Sequence, residues 1–180
     1  LAVVGLARET LDEVCQQAGV TAANFNASDQ IVLSGRVPAI EEAQRLANAK
    51  GAKRVVRLEV AGAFHSEFMQ SAATIFHHAL AKIGILTPRF PVISNVTGQP
   101  VSDPEDIRQL LVKQIVSPVL WEASMQRLIQ DGATTFIEFP PARVLTALLR
   151  RIDSSVKGIA LDEPADFDKL SEYLKPNLVS

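Results

Sequence analysis

The sequence predicts an α/β chain in two parts, a small α+β module over residues 1–60 followed by part of an α/β layer over residues 61–162. Three observations lead there. The first part runs strand, helix, strand, strand, helix, strand, and residues 88–160 alternate strands with helices. The 180 residues are 47% hydrophobic and 21% charged, a balance that fits a packed core and not a disordered chain.

Taken in order, Ala2 to Leu6 is a short apolar run. Thr10 opens a helix, with Glu13 three residues on completing a capping-box pattern, and Gly19 stops it. Residues 20–25 and 30–34 read as strands around the turn-rich tetrad Asn26-Ala27-Ser28-Asp29. Pro38 suits the first turn of a second helix with the stripe Ile40, Ala43, Leu46 and Ala47, ending near Gly51. Lys53 to Val60 alternates as a fourth strand. This βαββαβ order is the ferredoxin-like arrangement, informative about fold and weak on function.

Ala61 to His65 forms a small, Gly-containing turn, and Ser66 caps a long helix reaching about Ile83, with Phe68, Ala72, Phe76, Leu80 and Ile83 on its apolar face. Pro88 and Pro91 bracket a loop into the strand Val92 to Val96. Asp103-Pro104-Glu105 starts a helix to about Val116, with acidic groups well placed at its N-terminus. Pro118 interrupts, and a helix follows from Trp121 to Gln130. Thr134 to Phe139 reads as a strand, Pro141 to Ile152 as a helix and Val156 to Ala160 as a last strand, with parallel pairing expected over residues 88–160. Residues 163–180 form a tail with one helix around Phe167 to Leu174.

The formal net charge is -2, and no basic stripe of the kind that binds nucleic acid is visible. Lys50, Lys53, Arg54 and Arg57, the densest basic stretch, read as a solvated helix end and strand edge. No apolar run approaches the roughly 18 residues that a membrane span needs. Cys15 is the sole cysteine, so no intramolecular disulfide or thiolate metal cluster can form. Its place in the pattern of Leu11 and Val14 suits a small buried hydrophobe. The chain opens in mid-strand on Leu1-Ala2-Val3-Val4-Gly5, without an initiator Met or a basic targeting region. A half-sheet also buries itself poorly. Both are expected of a piece of a longer polypeptide.

The stretch Val60-Ala61-Gly62-Ala63-Phe64-His65-Ser66 places a histidine where a strand hands over to a helix, among small residues that allow close approach. With an ordinary imidazole pKa of about 6.5, a histidine there serves as general base or merely packs the turn. His77 and His78 fall off the apolar stripe and read as solvated or half-buried structural residues. No HExxH or comparable spacing joins the histidines, so no metal is expected. There is no Gly-x-Ser-x-Gly elbow. Ser66, next to His65, fits a helix cap better than a nucleophile.

Several segments, in one order, resemble the malonyl-CoA:acyl-carrier-protein transacylases of fatty-acid synthesis. They are Ala23-Asn24-Phe25-Asn26 with Gln30-Ile31-Val32-Leu33-Ser34-Gly35; Gly62-Ala63-Phe64-His65-Ser66; Pro91-Val92-Ile93-Ser94-Asn95-Val96-Thr97; Leu111-Val112-Lys113-Gln114-Ile115 with Ser117-Pro118-Val119 and Trp121; and Phe136-Ile137-Glu138 leading to Val144-Leu145. The resemblance covers about residues 1–160. It implies an α/β-hydrolase-like acyltransferase core carrying a ferredoxin-like subdomain, so that residues 61–162 are the C-terminal part of that core. It implies ping-pong acyl transfer, in which a serine of a Gly-His-Ser-Leu-Gly elbow takes malonyl from coenzyme A and passes it to the phosphopantetheine thiol of acyl carrier protein. His65 is then the catalytic histidine, and the backbone carbonyl of Gln114 orients its ring. Asn95 supports that site, and Phe64 lines the substrate pocket against an α-methyl group. Malonyl-CoA and acyl carrier protein are substrates and partners; no resident cofactor or metal is implied, and the complete enzyme is expected to be a monomer.

Two departures qualify the match. The serine elbow and the arginine that holds the malonyl carboxylate belong, by resemblance, to segments before Leu1, so this chain alone is expected to lack transferase activity. The family's usual Gly-Pro-Gly is replaced by Pro140-Pro141-Ala142, which removes backbone freedom beside the site. Two other readings stand beside the freestanding enzyme: an acyltransferase domain of a multidomain polyketide or fatty-acid synthase, and a non-catalytic binding module. Cytoplasm, plastid and mitochondrion all suit the chain, and secretion does not.

Overall fold

Ile31 and Leu33 alternate with Gln30, Val32 and Ser34, so one face of their strand is buried and the other is not. In the computed structural model, which describes residues 1–141 and 143–174, this strand is β3 (Gln30–Ser34). It lies between β2 (Thr21–Ala27) and β1 (Ala2–Val4), and β4 (Arg54–Val56) completes the sheet in the order β2-β3-β1-β4. All three pairings are antiparallel, with Val3 opposite both Ile31 and Val55. Helices α1 (Arg8–Ala18) and α2 (Val37–Ala49) bring Leu11, Val14, Ile40, Ala43 and Ala47 into a core with Val3, Ile31 and Leu33. Each large aliphatic side chain so buried contributes about 1.5–3 kcal/mol. The expected βαββαβ arrangement is present.

Local boundaries differ from expectation where distant partners decide them. Thr10 does not cap α1; the helix begins at Arg8 with Ala7 as a cap that makes no side-chain bond. Its first turn is supported instead by Glu9 at the positive end of the helix dipole and by the exposed Arg8–Asp12 pair at 3.6 Å. Gly19 ends α1 as expected, in the left-handed conformation (φ 69°) that spares it a Cβ clash. The Asn26–Asp29 tetrad reduces to a two-residue turn at Ser28-Asp29, because Asn26 and Ala27 remain in β2. The strand expected over Lys53 to Val60 is only Arg54–Val56, since the ladder with β1 ends at the pair Ala2–Val56.

Beyond the sheet, the long helix expected from Ser66 to Ile83 is a 3-10 turn, Glu67–Met69, followed by α3 (Gln70–Leu80). Ser66 does not cap it through its side chain. Ala73 and Leu80 are its buried residues; Phe68 is exposed beneath the Arg36 guanidinium (4.9 Å), and Ile83 lies past the helix end. The Arg108 guanidinium caps that end by donating to the carbonyls of Leu80 and, at 2.9 Å, Ile83. The strand Val92 to Val96 shrinks to β5 (Val92–Ile93), which pairs antiparallel with β6 (Pro100–Val101), not parallel. Asn95 therefore sits in the β5–β6 turn and not on a strand; the turn is closed by the Gly98 N–H to Ser94 O bond at 2.8 Å. Helix α4 (Pro104–Lys113) begins as expected, with Asp103 accepting from the N–H groups of Glu105 and Asp106 at 2.8 and 3.0 Å. Helix α5 (Trp121–Gln130) has the expected limits.

The chain divides into two compact units, Leu1–Arg127 and Leu128–Ser180. In the second, β7 (Thr135–Glu138) and β8 (Lys157–Ala160) pair in parallel around the crossover helix α6 (Leu145–Ile152), and α7 (Pro164–Leu174) follows. A Cβ at Gly158 would come within 3.1 Å of Thr146 Cγ2, so glycine lets α6 pack against β8. The helix expected from Pro141 starts only at Leu145, after a cis Pro140-Pro141 bond and Arg143 at φ 81°. Ala142, the third residue of the Pro140-Pro141-Ala142 departure, lies outside the described residues. Among the described residues no helix is long and apolar enough to cross a membrane.

Candidate functional site

His65 occupies the left-handed region with φ 58°, a conformation that costs a typical L-residue about 1–2 kcal/mol and that histidine tolerates better than most. Side chains on either side hold it there. The Ser34 hydroxyl, at the end of β3, donates to the Phe64 carbonyl at 2.6 Å, and the Ser66 hydroxyl donates to the Ala63 carbonyl at 2.5 Å. Ser66 is 1% exposed, which together with that bond removes it as a nucleophile. The half-buried His65 ring thus projects from a braced turn.

Its partner comes from the end of α4. Gln114 is the C-cap residue, and its carbonyl lies in the helix's last turn, where backbone oxygens lack intrahelical donors. His65 Nδ1 lies 2.8 Å from that oxygen. A carbonyl only accepts, so Nδ1 carries the proton and Nε2 keeps the basic lone pair. The Asn95 side chain reaches the Gln114 side chain through a long Nδ2···Oε1 contact of 3.5 Å.

Pro118 prevents α4 from running on, and the segment that follows is tied to the sheet. Val119 donates to Ala23 O at 2.8 Å and accepts from the Phe25 N–H at 2.9 Å, a parallel bridge beside β2; Leu120 N–H donates to Asn95 O at 2.8 Å. Four residues singled out in sequence therefore meet here: His65, Gln114, Asn95 and Phe64 line one cleft of about 510 Å³ with Met69, Ala72, Phe76, Ile115 and Val119. A smaller cleft of about 240 Å³ opens on the sheet side of His65, where Asn24, Ser34 and Gly62 join Phe64. A third, about 280 Å³ and lined by Arg36 and Arg57, does not reach the imidazole.

Other candidates lie apart. His77 and His78 are exposed, and His78 Nδ1 bonds to Thr74 O at 2.8 Å within α3. Burial, then Asp12, pushes the Cys15 thiol up to about 11, so it stays protonated at neutral pH and is no nucleophile. Among the described residues no cluster of three or more His, Cys, Asp or Glu could hold a metal. Ser34 received no role from sequence; its signal was a polar residue on the outward phase of an otherwise apolar strand, beside Gly35.

The acyl transferase domain family model matches residues 1–163. The malonyl CoA-acyl carrier protein transacylase of Bacillus subtilis (strain 168) is 38% identical over 179 residues, covering 97% of this chain and 56% of its own length. Among solved structures, the acyl-carrier-protein S-malonyltransferase of Burkholderia pseudomallei 1710b superposes with a TM-score of 0.90 at 36% identity, over 95% of this chain and 57% of its own. A complex of a type II PKS acyl-carrier protein with its malonyl-transacylase matches with a TM-score of 0.91 at 32% identity, over 96% and 57%. The chain spans about half the length of these relatives. A βαββαβ module, a histidine braced between strand and helix, and a family match over residues 1–163 agree, and the chain belongs to the acyl transferase domain family.

Proposed function

We propose that this chain is the histidine-bearing part of a malonyl-CoA:acyl-carrier-protein transacylase. The observation that carries it is the 2.8 Å contact between His65 Nδ1 and the Gln114 carbonyl, which leaves Nε2 basic in a cleft. On this reading Nε2 takes the proton of a serine hydroxyl as the serine oxygen attacks the malonyl thioester. The resulting imidazolium protonates the departing thiolate of coenzyme A. In the second half-reaction Nε2 takes the proton of the phosphopantetheine thiol, whose sulfur attacks the acyl-serine, and returns it to the serine oxygen. The Gln114 carbonyl fills the place that a carboxylate holds in a Ser-His-Asp triad, fixing tautomer and ring orientation. Asn95 has a supporting role, steadying Gln114, and Phe64 crowds any α-substituent on the acyl group.

Residues 1–60 would be the ferredoxin-like subdomain, residues 61–162 the C-terminal part of the acyltransferase core and residues 163–180 a tail. The serine elbow and the carboxylate-binding arginine would be supplied by sequence that this chain does not contain. Acyl carrier protein is the expected acceptor, as supported by the relatives' names and by the solved complex with such a carrier. The full enzyme would be a monomer in a non-secretory compartment.

The test joins this chain to a serine-bearing N-terminal segment of an acyltransferase and follows malonyl transfer from coenzyme A to carrier protein. The joined enzyme transfers; its His65→Ala variant is slower by roughly 10²–10⁴-fold, as expected for loss of a general base. The purified 180-residue chain, incubated alone with malonyl-CoA, acquires no malonyl group by mass spectrometry. Wild-type rates in the His65→Ala enzyme would remove the catalytic assignment, and a malonylated residue on the lone chain would remove the need for a supplied serine.

A further inference from the structure

We infer that Ser34 is the positioning residue for His65, acting from the sheet through the carbonyl of Phe64. Alternation along β3 sends Ile31 and Leu33 into the core and leaves Ser34 on the opposite face, where its hydroxyl meets Phe64 O at 2.6 Å across 30 residues of sequence. That oxygen belongs to the peptide plane that ends at the His65 nitrogen. Because the plane is rigid, holding its carbonyl limits rotation about the His65 N–Cα bond, which is the angle kept at 58°. Ser66 holds the next carbonyl back, Ala63 O, at 2.5 Å, so the turn is gripped at two successive carbonyls.

The opposite partner is fixed to the same sheet. Val119, five residues after Gln114, exchanges backbone hydrogen bonds with Ala23 and Phe25 of β2 at 2.8 and 2.9 Å. Strands β2 and β3 are neighbours in that sheet. The βαββαβ module therefore sets the distance between imidazole and carbonyl, with Ser34 as its contact on the imidazole side. The catalytic meaning of this rests on the function proposed above; the positioning itself does not.

The experiment uses the 180-residue chain with ¹⁵N-labelled histidine rings, where His77 and His78 serve as internal controls. In the wild type, NMR shows His65 as a single tautomer with the proton on Nδ1 and slow exchange of that proton. Ser34→Ala speeds that exchange by about tenfold or more and mixes the tautomers, because the braced state opens more often. Ser34→Thr, which keeps the hydroxyl, returns exchange to within about twofold of wild type. The His77 and His78 signals stay in place throughout. Unchanged His65 signals in Ser34→Ala overturn the inference, as does an equal shift of all three histidines, which would mark a global effect. Failure of Ser34→Thr to restore the signal overturns it too. None of these readouts needs a serine nucleophile or substrate, so loss of the transferase reading and loss of the positioning role are seen separately.

Discussion

The hydrogen bond that orients His65 is accepted by a main-chain oxygen, so the identity of residue 114 matters less than its place at the end of α4. This distinguishes it from a triad carboxylate, which a single side-chain substitution removes. Gln114→Ala keeps the carbonyl and gives up only the long contact to Asn95. Its stability is expected within about 0.5 kcal/mol of wild type. In the enzyme joined to a serine-bearing segment, transfer should fall by no more than roughly two- to threefold, the same energy expressed as a rate. Gln114→Pro is the contrasting change. It removes the N–H that donates to Leu110 O at 2.9 Å and closes the last turn, at about 3 kcal/mol, and it displaces the carbonyl. Equal loss of transfer in Gln114→Ala and His65→Ala would show that the amide side chain, and not the backbone oxygen, does the orienting.

At the scale of elements, the second unit turns on how β7 hands over to α6. Glu138 is 5% exposed, yet its carboxylate accepts from the N–H groups of Val144, Leu145 and Thr146 at 3.0, 2.8 and 2.8 Å. Burial alone would push its pKa up. The Leu145 and Thr146 N–H groups, the Thr146 hydroxyl and the Arg143 N–H outweigh burial and hold the carboxyl below its usual range. A carboxylate at a helix N-terminus also meets the positive end of the dipole. Since the folded pKa is the lower one, the stabilisation is complete above the unfolded value of about 4.3 and fades as pH falls through the folded value. Glu138→Gln keeps the shape and loses the charge, and is expected to destabilise the chain by about 1–3 kcal/mol at pH 7. Denaturant unfolding at a series of pH values checks this: the gap between wild type and variant should narrow on acidification, and a constant gap down to about pH 3 would count against a charged Glu138. The same handover shows what the sequence made legible. Helices α4 and α5 were readable because their signals are local: Asp103-Pro104 at one start, Pro118 before the other. The starts of α3 and α6 were not, because Ser66 turns its hydroxyl back to Ala63 and the cap of α6 comes from Glu138, six residues before Val144. His65 stood out locally, as a histidine in a turn of small residues, whereas Gln114 was legible only through resemblance; a spacing of 49 residues says nothing of a 2.8 Å contact. The Ser34 brace required the fold itself.

For the molecule as a whole, the distribution of apolar surface is uneven within the first unit. Its core lies in the βαββαβ module, whereas the connection from α3 to β5 leaves Leu86 85% and Phe90 80% exposed. Isolated exposed hydrophobes are ordinary, but two large ones within five residues, with Ile75 exposed on α3, favour association between chains. The purified chain should therefore self-associate in a concentration-dependent way, followed by sedimentation velocity. Replacing both residues, Leu86→Gln with Phe90→Gln, removes apolar area that the folded state leaves in water. Unfolding stability should then stay within about 0.5 kcal/mol of wild type while association weakens, separating surface from core. If the double variant remains folded and associates as strongly as wild type, the contact between chains lies elsewhere and this connection is not its cause.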